Sequence, residues 1–274
     1  MSVIIISSDS YPMGIEMARS TAESLGYALV TREILGSVAD RYRIPEEKLL
    51  HSLDEYPSFF RTSSRLWKRY LAYIQEATLA ELVKGDTVCQ GLAAHLYVLG
   101  VSHVLRIRIL SDPEKRIQQL KSREGMTHEK VRKLLEKERK FRRRWSVDAF
   151  GPDETDPSRY DLVINLGNID PDEAVKLIGE TVSYRRFKPM TYSIKCLKDL
   201  ELASRVRAAL VERFPDVRVR ANSGTMIIET TALKREKKKR SNLIREIAGN
   251  IPGVQYVEVH VINDIFRQAI ESYR

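Results

Sequence analysis

The first twenty-six residues constrain this chain more than any other stretch. Val3 to Ser7 is a short apolar, β-branched run ending in Ser-Ser, as expected of a buried strand. The turn Asp9-Ser10-Tyr11-Pro12-Met13-Gly14 follows. Ile15 to Leu25 then repeats apolar residues at helical spacing up to Gly26, a natural residue to end a helix. Strand, tight turn and helix N-terminus together form a ready anion site, because free backbone N–H groups and the helix dipole point into the turn.

The turn itself departs from the usual phosphate-binding pattern. That pattern, G-x-x-x-x-G-K-[ST], uses glycines for close backbone approach and a lysine for the terminal phosphates. Here the turn holds one glycine, Gly14, and no lysine, and Pro12 offers no N–H.

The rest of residues 1–180 alternates short apolar strands with helices. The pattern predicts strands at 27–30, 87–90, 103–110 and 162–166. It predicts helices at 32–42, 64–84, 91–98, 127–145 and 171–182, with Asp112-Pro113 opening another. This alternation predicts an α/β fold with a parallel sheet and helices on both faces. From about 190 the order changes. A strand at 192–196 precedes a helix at 199–213, and a hairpin turns at Asn222-Ser223-Gly224. A helix at 234–249, a strand at 254–262 and a last helix from Asp264 follow. That predicts a small α+β unit, and hence three parts: 1–182, a basic linker 183–190, and 191–274.

Charge supports the same division. Residues 1–180 balance at 27 Lys+Arg against 27 Asp+Glu, whereas residues 181–274 hold 19 against 10 and so carry the whole net charge of +9. No run reaches the roughly 18 apolar residues of a membrane span. Cys89 and Cys196 lie far apart in apolar surroundings and read as reduced thiols of a cytoplasmic protein. The five histidines show no metal-ligand spacing.

Several pieces in order resemble the cytidylate kinase-like family, a branch of the P-loop nucleoside monophosphate kinases. They are Ile6 through Ala18, Thr31-Arg32-Glu33-Ile34-Leu35, Gln90-Gly91-Leu92-Ala93-Ala94, the helix bearing Lys137, Arg139, Arg142 and Arg143, and Tyr160-Asp161-Leu162-Val163-Ile164-Asn165. The resemblance implies a three-layer fold, and ATP with Mg²⁺ if the chain is active. It places ATP at Ser10, Tyr11, Pro12, Met13, Gly14, Ile15 and Glu16. Arg139 and Arg143 become lid arginines on the transferring phosphoryl group, and Arg32 and Gly91 lie on the acceptor side. Where the family has a glycine-rich loop, this chain has Tyr11-Pro12-Met13-Gly14. Thr31 and Leu92 replace an acidic residue and an arginine. Phosphoryl transfer rests on positioning and positive charge, and these changes remove contacts of both kinds.

The part after 190 resembles a BON-like domain through Val206-Arg207-x-x-Leu210, the hairpin at Gly224 and Ile251-Pro252-Gly253-Val254. Such domains are binding modules. Two functions are therefore carried forward. One is nucleotide binding, with phosphoryl transfer to a nucleoside monophosphate if active. The other is an inactive kinase-like scaffold whose basic module binds a protein partner or polyanion. The run Lys234-Arg235-Glu236-Lys237-Lys238-Lys239-Arg240 suits a polyanion, but without interleaved aromatics it argues only weakly for nucleic acid.

Overall fold

The computed structural model describes residues 2–55, 61–112, 114, 116–118 and 127–263. Five parallel strands form the main sheet in the order β2-β3-β1-β4-β5: β1 (Val3–Ser8), β2 (Ala28–Val30), β3 (Thr87–Gln90), β4 (Val104–Leu110) and β5 (Leu162–Asn165). β1 lies between β3 and β4, with Ile5 opposite both Cys89 and Arg106. Val3 to Ile6 are all fully buried, as a central strand covered on both faces must be.

Each face packs its own set of helices. On one, α1 (Tyr11–Leu25) and α7 (Pro171–Ser183) cover Ile4, Ile6, Val88 and Ile107. On the other, Val3, Ile5 and Cys89 pack with α2 (Ile34–Tyr42), α3 (Glu46–Asp54), α4 (Arg61–Leu82), the short α5 (Ala94–Tyr97) and α6 (His128–Phe150). This is the three-layer α/β arrangement expected from the alternation. Local signals set the helix ends. Gly26 closes α1 in the left-handed region at φ 66°. Asp170 caps α7 by accepting the Asp172 N–H, with Pro171 at the first helical position, a cap worth about 1 kcal/mol. Trp67 and Trp145 both donate their indole N–H to the Ser52 carbonyl, tying α4 and α6 to α3.

The second sheet has three strands: β6 (Arg218–Asn222) antiparallel to β7 (Thr225–Ala232), and β8 (Tyr256–Asn263) parallel to β7. α8 (Thr191–Leu210) and α9 (Lys237–Gly249) pack against it.

α8 corrects the strand expected at 192–196. Tyr192, Ile194 and Cys196 alternate with polar residues and imitate a strand, but the helix begins at Thr191, where the Ser193 hydroxyl accepts the Met190 N–H at 3.1 Å. It is buried on two sides. Leu197, Ala208 and Val211 just beyond its end join the first domain's core, while Leu202, Val206 and Leu210 join the second. The segment before it also docks, since Phe187 packs among the residues under α1 and α7. The helix expected from Asp264 lies outside the described residues.

Candidate functional site

The main sheet reverses strand order between β1 and β3, and ligands of open α/β sheets bind beyond the carboxyl ends of strands at such a point. Here those ends are Ser7-Ser8 and Gln90-Gly91. The turn after β1 is short: only Asp9 and Ser10 separate β1 from α1. Tyr11, Pro12 and Met13 form the first turn of the helix itself, and the Gly14 N–H donates to the Ser10 carbonyl at 2.9 Å. Asp9 is bound to the end of β4, with its N–H on the Ile109 carbonyl and its carboxylate accepting the Ser111 N–H at 3.0 Å.

Gly14 has no side chain because α1 presses against the sheet. A Cβ there would lie 2.8 Å from both Ser8 Cβ and Gln90 Nε2. Protein atoms thus fill the space beside that glycine. Pro12 lacks an N–H and Gly14 uses its own within the helix, so residues 10–16 offer fewer free donors than a glycine-rich phosphate loop does. Pro12 and Glu16 are exposed, Ile15 is half-buried, and Met13 packs against the core beneath α1.

Tyr11, Gly91 and Arg32 do come together. The Arg32 guanidinium lies 4.2 Å from the Tyr11 ring centre, and a Cβ on Gly91 would touch both side chains at 3.7 and 3.9 Å. Arg32 is already engaged, with two hydrogen bonds of 2.8 and 2.6 Å to the Asp54 carboxylate. Gly91, Leu92 and Ala93 all have positive φ, at 73°, 56° and 58°. For the two buried non-glycine residues this is a strained turn, costing about 1 kcal/mol or more each. It aims α5 at the opposite face of the sheet.

There α5 sets His95 in a buried polar cluster. Glu154, 2% exposed, takes a paired contact from the Arg142 guanidinium and stands 3.6 Å from His95 Nε2. Tyr160 donates to the Glu154 carbonyl at 2.7 Å, and Arg108 donates to Ser7 Oγ at 2.6 Å. Burial pushes His95 down to about 4, against the opposing pull of Glu154. Arg108 makes no ion pair among the described residues, leaving one uncompensated cation in the cluster. His95 Nε2, Gln90 Oε1 and Ser111 Oγ are buried without hydrogen-bond partners. Arg108, held by a hydroxyl and by no carboxylate, is the group of this cluster that suits a small anion.

α6 carries the two arginines that the resemblance assigned to a lid. Arg139 and Arg143 are exposed, and Arg143 pairs with Asp153 at 3.0 Å. The arginine turned inward is Arg142, which also donates to the Leu53 carbonyl at 2.7 Å. His95, Arg108, Gln90 and Tyr160 were missed, although an arginine pair inside an otherwise apolar strand, Arg106 and Arg108, was a visible signal. Arg106 is a structural partner, bound to Asp161 at 3.1 Å. No helix among the described residues is long and apolar enough to span a membrane, and none of them cluster as metal ligands.

Known proteins match the same region. Residues 3–168 match the Cytidylate kinase-like family. Over 173 residues the chain is 25% identical to a cytidylate kinase of Archaeoglobus fulgidus, covering 63% of this chain and 89% of that protein. Among solved structures, an uncharacterized protein from Eubacterium ventriosum aligns with a TM-score of 0.48 at 20% identity, over 68% of this chain and 100% of the other. Shikimate kinase from Bacteroides thetaiotaomicron aligns with a TM-score of 0.42 at 9% identity, over 67% and 99%. The family match spans more than half of the chain, from the first strand to the end of β5, and this protein belongs to the cytidylate kinase-like family.

Proposed function

We propose that this is a kinase-fold binding protein that takes a nucleoside monophosphate or a similar small anion near Arg108 and does not transfer phosphoryl groups from ATP. The observation that carries this is the two-residue connection from β1 to α1, with the Gly14 N–H spent on Ser10 and its side-chain space filled by Ser8 and Gln90. A transferring site needs preorganised donors around the phosphates, and this turn supplies few. Arg108 supports retained anion binding, because it has a hydroxyl partner but no carboxylate.

The second reading is phosphoryl transfer from ATP-Mg²⁺ to a nucleoside monophosphate, favoured by the family and by the relative named cytidylate kinase. In that reading Arg139 and Arg143 close on the substrate, and Arg32 leaves Asp54 to reach the acceptor. One panel separates the two. Nucleoside monophosphates should raise the melting temperature of the protein, ATP-Mg²⁺ should not, and a coupled assay should detect no ADP. Arg108→Met should remove the shift. Turnover that is lost in Arg139→Ala would instead establish the kinase.

For the basic C-terminal part we propose a BON-like binding module for a protein partner or polyanion. A groove of about 570 Å³ between α8, β6 and residues 99–101, lined by Tyr192, Lys195, Val219 and Arg220 among others, supports it. Cys89, buried and pushed up to about 12, is an inert thiol that fits a reducing cytoplasm.

A further inference from the structure

The two edges of the small sheet are built differently. β6 is five residues long and exposes Arg218 and Arg220, the kind of short, charged edge that resists pairing with other chains. β8 runs for eight residues, each matched to one of β7 without a bulge, and contains no Lys, Arg, Pro or Gly. Among the described residues it pairs with β7 alone. In a region of 19 Lys+Arg against 10 Asp+Glu, it is a continuous strand free of lysine and arginine.

The backbone shows which groups are available. The Tyr256 N–H points back toward the β7 side, to the Gly224 carbonyl at 3.3 Å. Alternation along the strand then directs the N–H and C=O groups of Val257, Val259 and Val261 outward, on the side away from β7.

The side chains fit a copy of themselves. Place a second β8 antiparallel with a two-fold axis at Val259. Val259 then meets its own copy and Val257 meets Val261 of the other strand, all at positions where outward backbone groups exchange hydrogen bonds. Glu258 falls opposite His260, and Tyr256 opposite Ile262, at the closer non-bonded positions. Tyr256, Glu258, His260 and Ile262 are exposed in the single chain, with Tyr256 at 63% and Ile262 at 58%. The two neighbouring registers that keep the backbone bonds set Glu258 against Glu258 or His260 against His260. Like groups directly opposite destabilise a pair, so the register centred on Val259 stands out.

We propose that two copies of this protein join through β8, antiparallel about Val259, to make one six-stranded sheet with an isologous two-fold interface. An interface built mainly on one strand pair is small, so the dimer forms reversibly with concentration.

Sedimentation equilibrium of the full chain tests this. The wild type should move from monomer to dimer as concentration rises. His260→Glu places two glutamates against two glutamates, and the Glu258→Lys/His260→Lys double variant places lysines against lysines. Each should weaken self-association about tenfold or more. Mixed together, the two variants restore opposite charges at every position and should dimerise again. Circular dichroism checks that both remain folded; if either does not, the swap Glu258→Lys/His260→Glu, which keeps opposite charges facing, replaces them and should dimerise like the wild type. A wild type that stays monomeric overturns the proposal. So does a dimer indifferent to the charge changes, or separate variants that fail to recombine.

Discussion

His95 shows how one buried side chain ties the cluster to pH. It is fully enclosed, and burial lowers its affinity for protons to about 4, from 6.5 in an open chain. Between those values the unfolded chain binds a proton that the folded protein does not. Stability is therefore complete above pH 6.5 and drains away as pH falls toward 4, a loss of order 3 kcal/mol. Urea denaturation should show a lower midpoint at pH 5 than at pH 7.5, and His95→Gln should flatten that slope. A steep slope that survives in the variant would assign the acid sensitivity to other groups. Residue placement was partly legible in the sequence. Arg32 and Gly91 were both expected on the acceptor side, and they lie together, with Tyr11 of the expected ATP loop beside them. Which arginine of α6 turns inward was not legible, because the helix is charged on almost every side. What selects Arg142 is Glu154, which reaches it from a separate loop.

At the level of elements, α8 carries most of the surprise. A helix with one apolar stripe announces itself by its period, but α8 has two, facing different cores, and the mixed pattern at its start resembles a strand. Its attachment to α4 is polar as well as apolar. Arg207 donates to Gln75 Oε1 at 2.8 Å, and Arg69 pairs with Glu212 at 3.1 Å. A chain ending at 189 should therefore expose the apolar face of α4. It should melt several degrees below a chain ending at 215, which keeps the helix. Leu197→Ala in the full chain should cost about 2–5 kcal/mol, the range for a large buried side chain cut to alanine. Equal melting of the two truncations would show that the helix contributes little to the first core.

For the whole molecule, the parallel sheet was legible because strands and helices alternate in sequence. Strand order was not, since it depends on which distant segments pair. The charge imbalance after residue 180 marked a real change in architecture, from a parallel sheet to a mixed one. Charge did not reveal that the two parts share a helix. Sharing predicts one cooperative unfolding transition in calorimetry, with van't Hoff and calorimetric enthalpies in agreement. Two resolved transitions would mean that α8 detaches from one core before the other melts.

The shared helix also sets a schedule for synthesis. The face of α4 that receives Leu197, Ala208 and Val211 is complete once residue 82 has been made, yet its covering arrives more than a hundred residues later. At roughly 5–20 residues per second, that apolar face waits for several seconds or longer while the chain is still being translated. During that interval the nascent protein offers the kind of surface that chaperones bind, and the first domain reaches its final packing only when the second begins to emerge.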